Sequence, residues 1–130
     1  MGLKYLYDTN AVIDFIGGNL PNHAIIWTER MLFSHQISIS IINKIEILGF
    51  NAPESEELLL KEFINLSVVW SLADSIADKT IEIRKTRKIK LPDAVIAATA
   101  IVHNLTLISK NDSDFKKIEG LDYINPFTDL

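Results

Sequence analysis

Cysteine is absent from the 130 residues. Disulfides and thiolate metal sites are thereby excluded, and a reducing cytoplasm is compatible with the chain. Long apolar runs are also missing. The longest strongly apolar stretch, Ala94 to Val102, falls short of the roughly 20 residues that a membrane-spanning helix needs. There is no basic excess: 13 Lys and Arg face 17 Asp and Glu, for a formal charge of -4. Modules that bind nucleic acid tightly are more often basic, because their cations release phosphate counterions. The net charge speaks against such a module, but not against a nuclease whose carboxylates are neutralised by metal ions. The start, Met1-Gly2-Leu3-Lys4-Tyr5, has no signal-peptide cleavage pattern and points to the cytoplasm. His23, His35 and His103 have no ligand spacing and read as surface or helix-end residues.

What remains is an ordinary globular mixture, 48% hydrophobic and 23% charged, long enough for one domain over residues 1–130 with one sizeable core. Leu3 to Tyr7 reads as a buried strand, Ala11 to Ile16 as a short helix closed by Gly17-Gly18-Asn19, and His23 to Phe33 as a second helix. Ile37 to Ser40 is a strand and Ile41 to Phe50 a helix. Pro53 followed by Glu54, Glu56 and Glu57 is a strong helix start, for a helix to about Leu66. Ser67 to Trp70 is a strand, and Ser71 is a good N-cap for a helix through about Arg87. Leu91-Pro92-Asp93 opens a helix ending near His103-Asn104, and Leu105 to Ser109 is a strand. Asn111 to Gly120 is a polar loop or short helical turn, and Asp122 to Ile124 a last, edge strand. Strands alternating with helices predict an α/β fold, a three-layer α/β/α sandwich around a mainly parallel sheet.

A few acids stand among apolar neighbours. Asp8 ends a buried strand, and in open α/β sheets ligands bind at the strands' carboxyl ends; capping the next helix is the plainer role. Glu46 lies within Ile45-Glu46-Ile47-Leu48; if buried it needs a partner or a metal, and otherwise it is a partly exposed residue beside Asn43 and Lys44. Asp93 is the lone acid opening a helix that is apolar almost all round, either complementing its dipole or serving a site. Asp112 and Asp114 follow another strand's end, where turn chemistry alone can account for them. Together these positions converge on one sheet edge. Clustered carboxylates resist ionising unless a cation joins them. Oxygen ligands without His or Cys suit Mg²⁺ or Mn²⁺.

At these residues the sequence resembles the PIN-domain nucleases, and within them the VapC-type toxins of bacterial toxin–antitoxin pairs. The matching pieces are Tyr7-Asp8-Thr9-Asn10, Glu46, Asp93-Ala94-Val95-Ile96-Ala97-Ala98-Thr99-Ala100, and Thr106 through Phe115. The resemblance covers nearly the whole chain. It implies a PIN-like sandwich, Mg²⁺ or Mn²⁺, endonucleolytic cleavage of RNA, a cognate antitoxin and a homodimer. It carries Asp8, Glu46 and Asp93 over as metal-site acids. Asp114 matches the acid before phenylalanine, Asn111 stands where some relatives have aspartate, and Asp112 is a further candidate for the fourth place. Ser109 stands where threonine is common and keeps the hydroxyl.

On this reading Asp8 and Asp93 bind the metal, Glu46 acts through water, and Asp114 or Asp112 completes a weaker position. Asn10, Ser109 and Asn111 orient these groups or a phosphate. Arg84, Lys85, Arg87, Lys88 and Lys90 put five of the 13 basic residues into seven positions just before Asp93. They form either the cation-favoured end of a helix or a rim that tracks RNA phosphates. Trp27 and Trp70 read as core or interface anchors, and the apolar face around Ile25, Ile26, Trp27, Met31 and Leu32 as core, with a dimer or antitoxin contact as the other use. Two other functions compete. One is an RNA-processing nuclease without an antitoxin. The other is a receiver-like Mg²⁺-binding signalling domain, which would use Lys110 but leave Glu46 and the Asp93 helix unexplained.

Overall fold

The computed structural model describes residues 2–130. Five short strands and seven helices alternate along the chain. They are β1 (Tyr5–Tyr7), α1 (Thr9–Ile16), α2 (Asn22–Phe33), β2 (Ile37–Ser40), α3 (Ile41–Gly49), α4 (Glu54–Leu66) and β3 (Val68–Trp70), followed by α5 (Asp74–Thr86), α6 (Leu91–Val102), β4 (Thr106–Ile108), α7 (Asp112–Phe115) and β5 (Asp122–Ile124). The strands form one sheet in the order β3-β2-β1-β4-β5, and every pairing is parallel. A receiver domain has a different order, 2-1-3-4-5.

Strand alternation assigns the two faces of the sheet. Leu6 and Leu107 pack with Ile76, Ile83 and the buried residues of α6. Tyr7, Ile108, Ile37 and Ile39 pack on the other side with Val12, Leu32, Leu60 and Phe63. The result is the expected α/β/α sandwich. Tyr7 is fully buried, and its hydroxyl lies 2.8 Å from Thr28 Oγ1, so α2 is tied to the central strand by a polar contact as well as by packing.

Most elements form where the pattern places them, within one or two residues at each end. The start of α5 differs. Its N-cap is Ala73, and Ser71 makes no cap. The buried stripe Ile76, Thr80, Ile83 sets the helix's span, and Leu72 before it is exposed, so starting earlier would bury nothing more. In α2 the buried stripe is Ala24, Thr28 and Leu32. Ile25, Trp27 and Met31 flank it, and Ile26 is exposed. The Gly17-Gly18-Asn19 stop forms as expected, with Gly18 at φ +73°, the left-handed conformation that glycine reaches without a Cβ penalty.

Among the described residues no helix is long and apolar enough to cross a membrane.

Candidate active site

Asp8 continues β1 by one residue and keeps extended backbone, φ -73° and ψ 158°. Period 2 puts it on the same face as Leu6, the face covered by α6. Ser109 follows Leu107 by the same step. The two meet across the β1–β4 pairing: Asp8 N donates to Ile108 O at 2.9 Å, and Ser109 Oγ donates to Asp8 Oδ2 at 2.8 Å.

Asp8 is only 5% exposed and accepts four hydrogen bonds. Oδ1 takes Thr9 N (2.9 Å) and Asn43 Nδ2 (3.3 Å). Oδ2 takes Ser109 Oγ and Asn10 Nδ2 (3.1 Å). Thus Asp8 caps α1 and at the same time is held by Asn43, Ser109 and Asn10 at the carboxyl end of β1. Burial still holds the Asp8 carboxyl above its ordinary pKa, opposed by the donors Ser109, Thr9 and Asn43, while the charge of Glu46 adds to the rise.

Asp93 occupies the first turn of α6, whose next seven residues are buried. Its pKa is pushed up to about 6, first by burial, then by a hydrogen bond with Asp114 and by the charges of Asp8, Asp114 and Glu46. Asp114 is held in turn by Asn111 Nδ2 at 2.7 Å, and Asn111 N donates to Ser109 Oγ at 3.1 Å. Asn10 completes the link: Nδ2 reaches Ser109 Oγ at 3.3 Å, and Oδ1 accepts Lys110 N at 3.3 Å. The structure therefore places Asp93 within electrostatic reach of Asp8, Asp114 and Glu46, and Asp8 within reach of Glu46. Asn10, Ser109 and Asn111 link Asp8 to Asp114, and Thr9 links Glu46 to Asn43.

Glu46 arrives by a different route from the one its neighbours suggested. It is exposed, as are Ile45 and Leu48 beside it, so the case from burial does not hold. The apolar run of α3 is only partly core, because the inward positions are Asn43 and Ile47. What fixes Glu46 is Thr9, whose hydroxyl donates to its Oε1 at 2.6 Å.

Asp112 belongs to a separate set. Its Oδ1 lies 2.6 Å from the Tyr123 hydroxyl and 3.2 Å from Asn125 Nδ2. The same hydroxyl is 2.8 Å from the Ser109 carbonyl oxygen, so its proton is shared between the two acceptors. These partners lower the Asp112 pKa, Tyr123 foremost. Asp112 thus clasps β5 to the end of β4, and it is Asp114 that stands at Asp93.

Sequence reasoning passed over Asn43. It is fully buried. Its Oδ1 accepts Ser40 N at 2.9 Å, closing a capping box at the start of α3, and its Nδ2 donates to Asp8 and, at 3.1 Å, to Thr9 Oγ1. The available signal was Ser40 three residues before Asn43, a capping-box spacing with amide in place of acid.

Among the described residues no group of three or more His, Asp or Glu side chains is close enough together to hold a metal ion as the side chains stand. The donor set nonetheless suits a hard divalent cation: all-oxygen ligands, like charges raising one another's proton affinity, and no histidine. The five rim cations make no ion pair among the described residues; Arg84, Lys85, Lys88 and Lys90 are exposed and Arg87 half-buried.

The PIN domain family model matches residues 5–121. A toxin–antitoxin complex from Klebsiella pneumoniae contains a chain 28% identical to this one, covering 95% of this chain and 98% of its own, with a TM-score of 0.75. A DNA-bound VapBC from Salmonella typhimurium is 26% identical, covering 95% and 98%, with a TM-score of 0.78. VapBC2 from Rickettsia felis, bound to a promoter DNA fragment, is 25% identical over 96% and 98%, also at 0.78. Comparison with curated proteins gives no match. With a family match over nearly its whole length and four acids gathered at the carboxyl edge of a parallel sheet, the chain belongs to the PIN-domain family.

Proposed function

We propose that this chain is a metal-dependent endoribonuclease and the toxin of a toxin–antitoxin pair, acting in the cytoplasm as one nuclease domain. The observation that carries the reading is the placement of Asp93 beside Asp114, Asp8 and Glu46, where burial first and then these three acids raise its proton affinity. Acids from four separate elements that repel one another this way are arranged for a cation and a phosphodiester rather than for stability.

Asp8, Asp93 and Asp114 would hold Mg²⁺ or Mn²⁺, with Glu46 acting through water. The bound ion supplies activation of the attacking water and charge for the leaving oxygen. The chain's own groups do the positioning. Thr9 fixes Glu46, Ser109 and Asn43 fix Asp8, and Asn111 fixes Asp114. Arg84, Lys85, Arg87, Lys88 and Lys90 line the approach of the RNA strand.

The test is cleavage-site mapping on total RNA with and without Mn²⁺, with Asp8→Asn as control. Discrete new ends that need the metal and vanish in the variant are expected. Equal cleavage by Asp8→Asn, or none by the wild type under any divalent cation, would overturn the reading. The fourth acid is resolved by a pair of variants. Asp114→Asn is expected to lower cleavage about a hundredfold or more. Asp112→Asn is expected to keep cleavage within a few fold while lowering stability slightly, because it loosens the Tyr123 and Asn125 clasp. The reverse ranking would assign the place to Asp112.

The antitoxin part is supported by the toxin–antitoxin complexes in which the similar chains occur. It is also supported by an apolar cleft of about 310 Å³ between α1, α2 and α4, containing Phe15, Ile25, Leu32 and the largely exposed Phe33. Glu29 and Glu62 at its rim suit an apolar segment with basic ends. A homodimer is part of the same reading, and exposed Ile45 and Leu48 on α3, with Phe50 just after it, offer apolar surface for it.

A further inference from the structure

A cleft of about 510 Å³ lies between the end of α5 and the turn that follows α7. One wall carries Thr86 and Arg87, and the other carries Lys117, Ile118, Gly120 and the carboxylate of Glu119, which pairs with neither cation among the described residues. Lys79 and Glu82 also line it, but they neutralise each other at 3.2 Å. Arg87 and Lys117 have no acidic partner within ion-pair distance among the described residues. Both walls are rigidly based: Ile83, Ile89, Phe115 and Ile118 belong to one buried core cluster. With Lys79, Arg87 and Lys117 against Glu82 and Glu119, this fixed cleft keeps an excess of one positive charge and favours an anion.

The position of these cations along the chain gives the cleft its meaning. Lys117 comes three residues after Asp114, and Arg87 six residues before Asp93. Even fully extended chain limits those separations to about 11 Å and about 21 Å. The two walls therefore run directly into two of the four acids. A strand whose scissile phosphate sits at the carboxylates would have a phosphate only a few nucleotides away within reach of both cations.

We propose that the Arg87–Lys117 cleft is a second phosphate site, which grips the backbone of the RNA strand to one side of the cut. The proposal rests on the ribonuclease reading and sharpens it. It singles out Arg87 from the five rim cations and adds Lys117, which stands on a different element. The cleft's contribution is charge and shape without base reading, so it sets the length of strand needed for binding rather than the sequence.

The experiment uses full-length protein in the Asp8→Asn background, so that RNA stays intact. Binding of fluorescent single-stranded RNAs of increasing length is followed by anisotropy at several salt concentrations. The Arg87→Gln/Lys117→Gln variant is expected to bind long RNA about tenfold more weakly at about 0.1 M salt. The slope of log affinity against log salt should fall by about 1.4, the value for two single-strand phosphate contacts. RNAs too short to reach from the acids to the cleft should bind both proteins alike. Arg87→Lys with Lys117 intact should restore most of the loss, which separates charge from packing of the half-buried arginine. A charge-matched control, Lys4→Gln/Arg30→Gln, removes two exposed cations far along the chain and should leave the slope unchanged. An unchanged slope in the cleft variant, an equal loss for short and long RNA, or an equal loss in the control overturns the cleft while the nuclease reading stands. Failure of the unaltered cleft to bind RNA, together with failure of the wild type to cleave any, overturns both.

Discussion

Asp93→Asn is expected to cleave RNA at least about a thousandfold more slowly than wild type and yet to be the more stable protein at pH 7. Both effects have one cause. The Asp93 carboxyl is pushed up to about 6, from an ordinary 3.8, by burial and by Asp114, Asp8 and Glu46. A carboxyl raised in the folded state holds its proton more tightly there than in the unfolded chain. Its stabilising contribution is therefore complete below about pH 4 and is lost as pH rises through about 6. The full displacement would be worth about 3 kcal/mol. Asp93 is partly exposed, and solvent screening reduces the expected gain from asparagine to about 1 kcal/mol. Asp8 is displaced in the same direction. Asp112 runs the other way, because its lowered pKa gives stability that disappears only as the pH falls below the ordinary carboxyl range. The measurement is urea unfolding in chelator from pH 4 to 7.5. Wild type should lose stability across pH 4 to 6, and Asp93→Asn should show a shallower slope with the higher value at pH 7. A variant less stable than wild type at pH 7, with an unaltered slope, would mean that Asp93 is a stabilising dipole partner of α6 and no strained site acid.

That outcome bears on which features a sequence can reveal. The placement of Asp8 and Asp93 was legible because period and polarity define the end of an apolar strand and the start of an interior helix, whereas the exit of the next strand offered Asp112 and Asp114 together. The same period 2 that sends Leu6 and Leu107 to one face sends Asp8 and Ser109 there as well. For Glu46 the ground from burial fails, because the residue is exposed and is held by Thr9 instead. Apolar neighbours in sequence are a good sign of burial only when they lie on the inward stripe, and Ile45 and Leu48 do not. The choice between Asp112 and Asp114 depends on Tyr123, which reaches Asp112 from β5. Contacts between elements separated by a turn of undefined direction leave no mark on local spacing. The start of α5 was misjudged for a related reason: Ser71 has the chemistry of a cap, but the buried stripe of the helix decided where the helix begins.

Asn43 carries the other large expected effect. It is the joint between the capping box of α3 and the carboxylate at the end of β1. Replacing it with alanine strands the Ser40 N–H in the interior, removes one of the four donors on Asp8 and takes a donor from Thr9, the residue that orients Glu46. An unsatisfied buried amide and a buried carboxylate short of one donor together cost about 2–4 kcal/mol. Cleavage should fall a further 10–100-fold under conditions where the variant is fully folded, the usual loss when a group supporting a metal ligand is removed. A purely structural role is distinguished by Asn43→Asp. Aspartate restores an acceptor for Ser40 and so recovers part of the stability. It also sets a second carboxylate against Asp8 in a buried site, which raises the proton affinity of both. Cleavage should therefore stay low and shift its dependence to higher pH, although the cap is rebuilt. If stability and cleavage recovered together in Asn43→Asp, Asn43 would be a helix cap and nothing more. If alanine left cleavage within twofold, the support of Asp8 would have to be assigned to Ser109 and Asn10 alone.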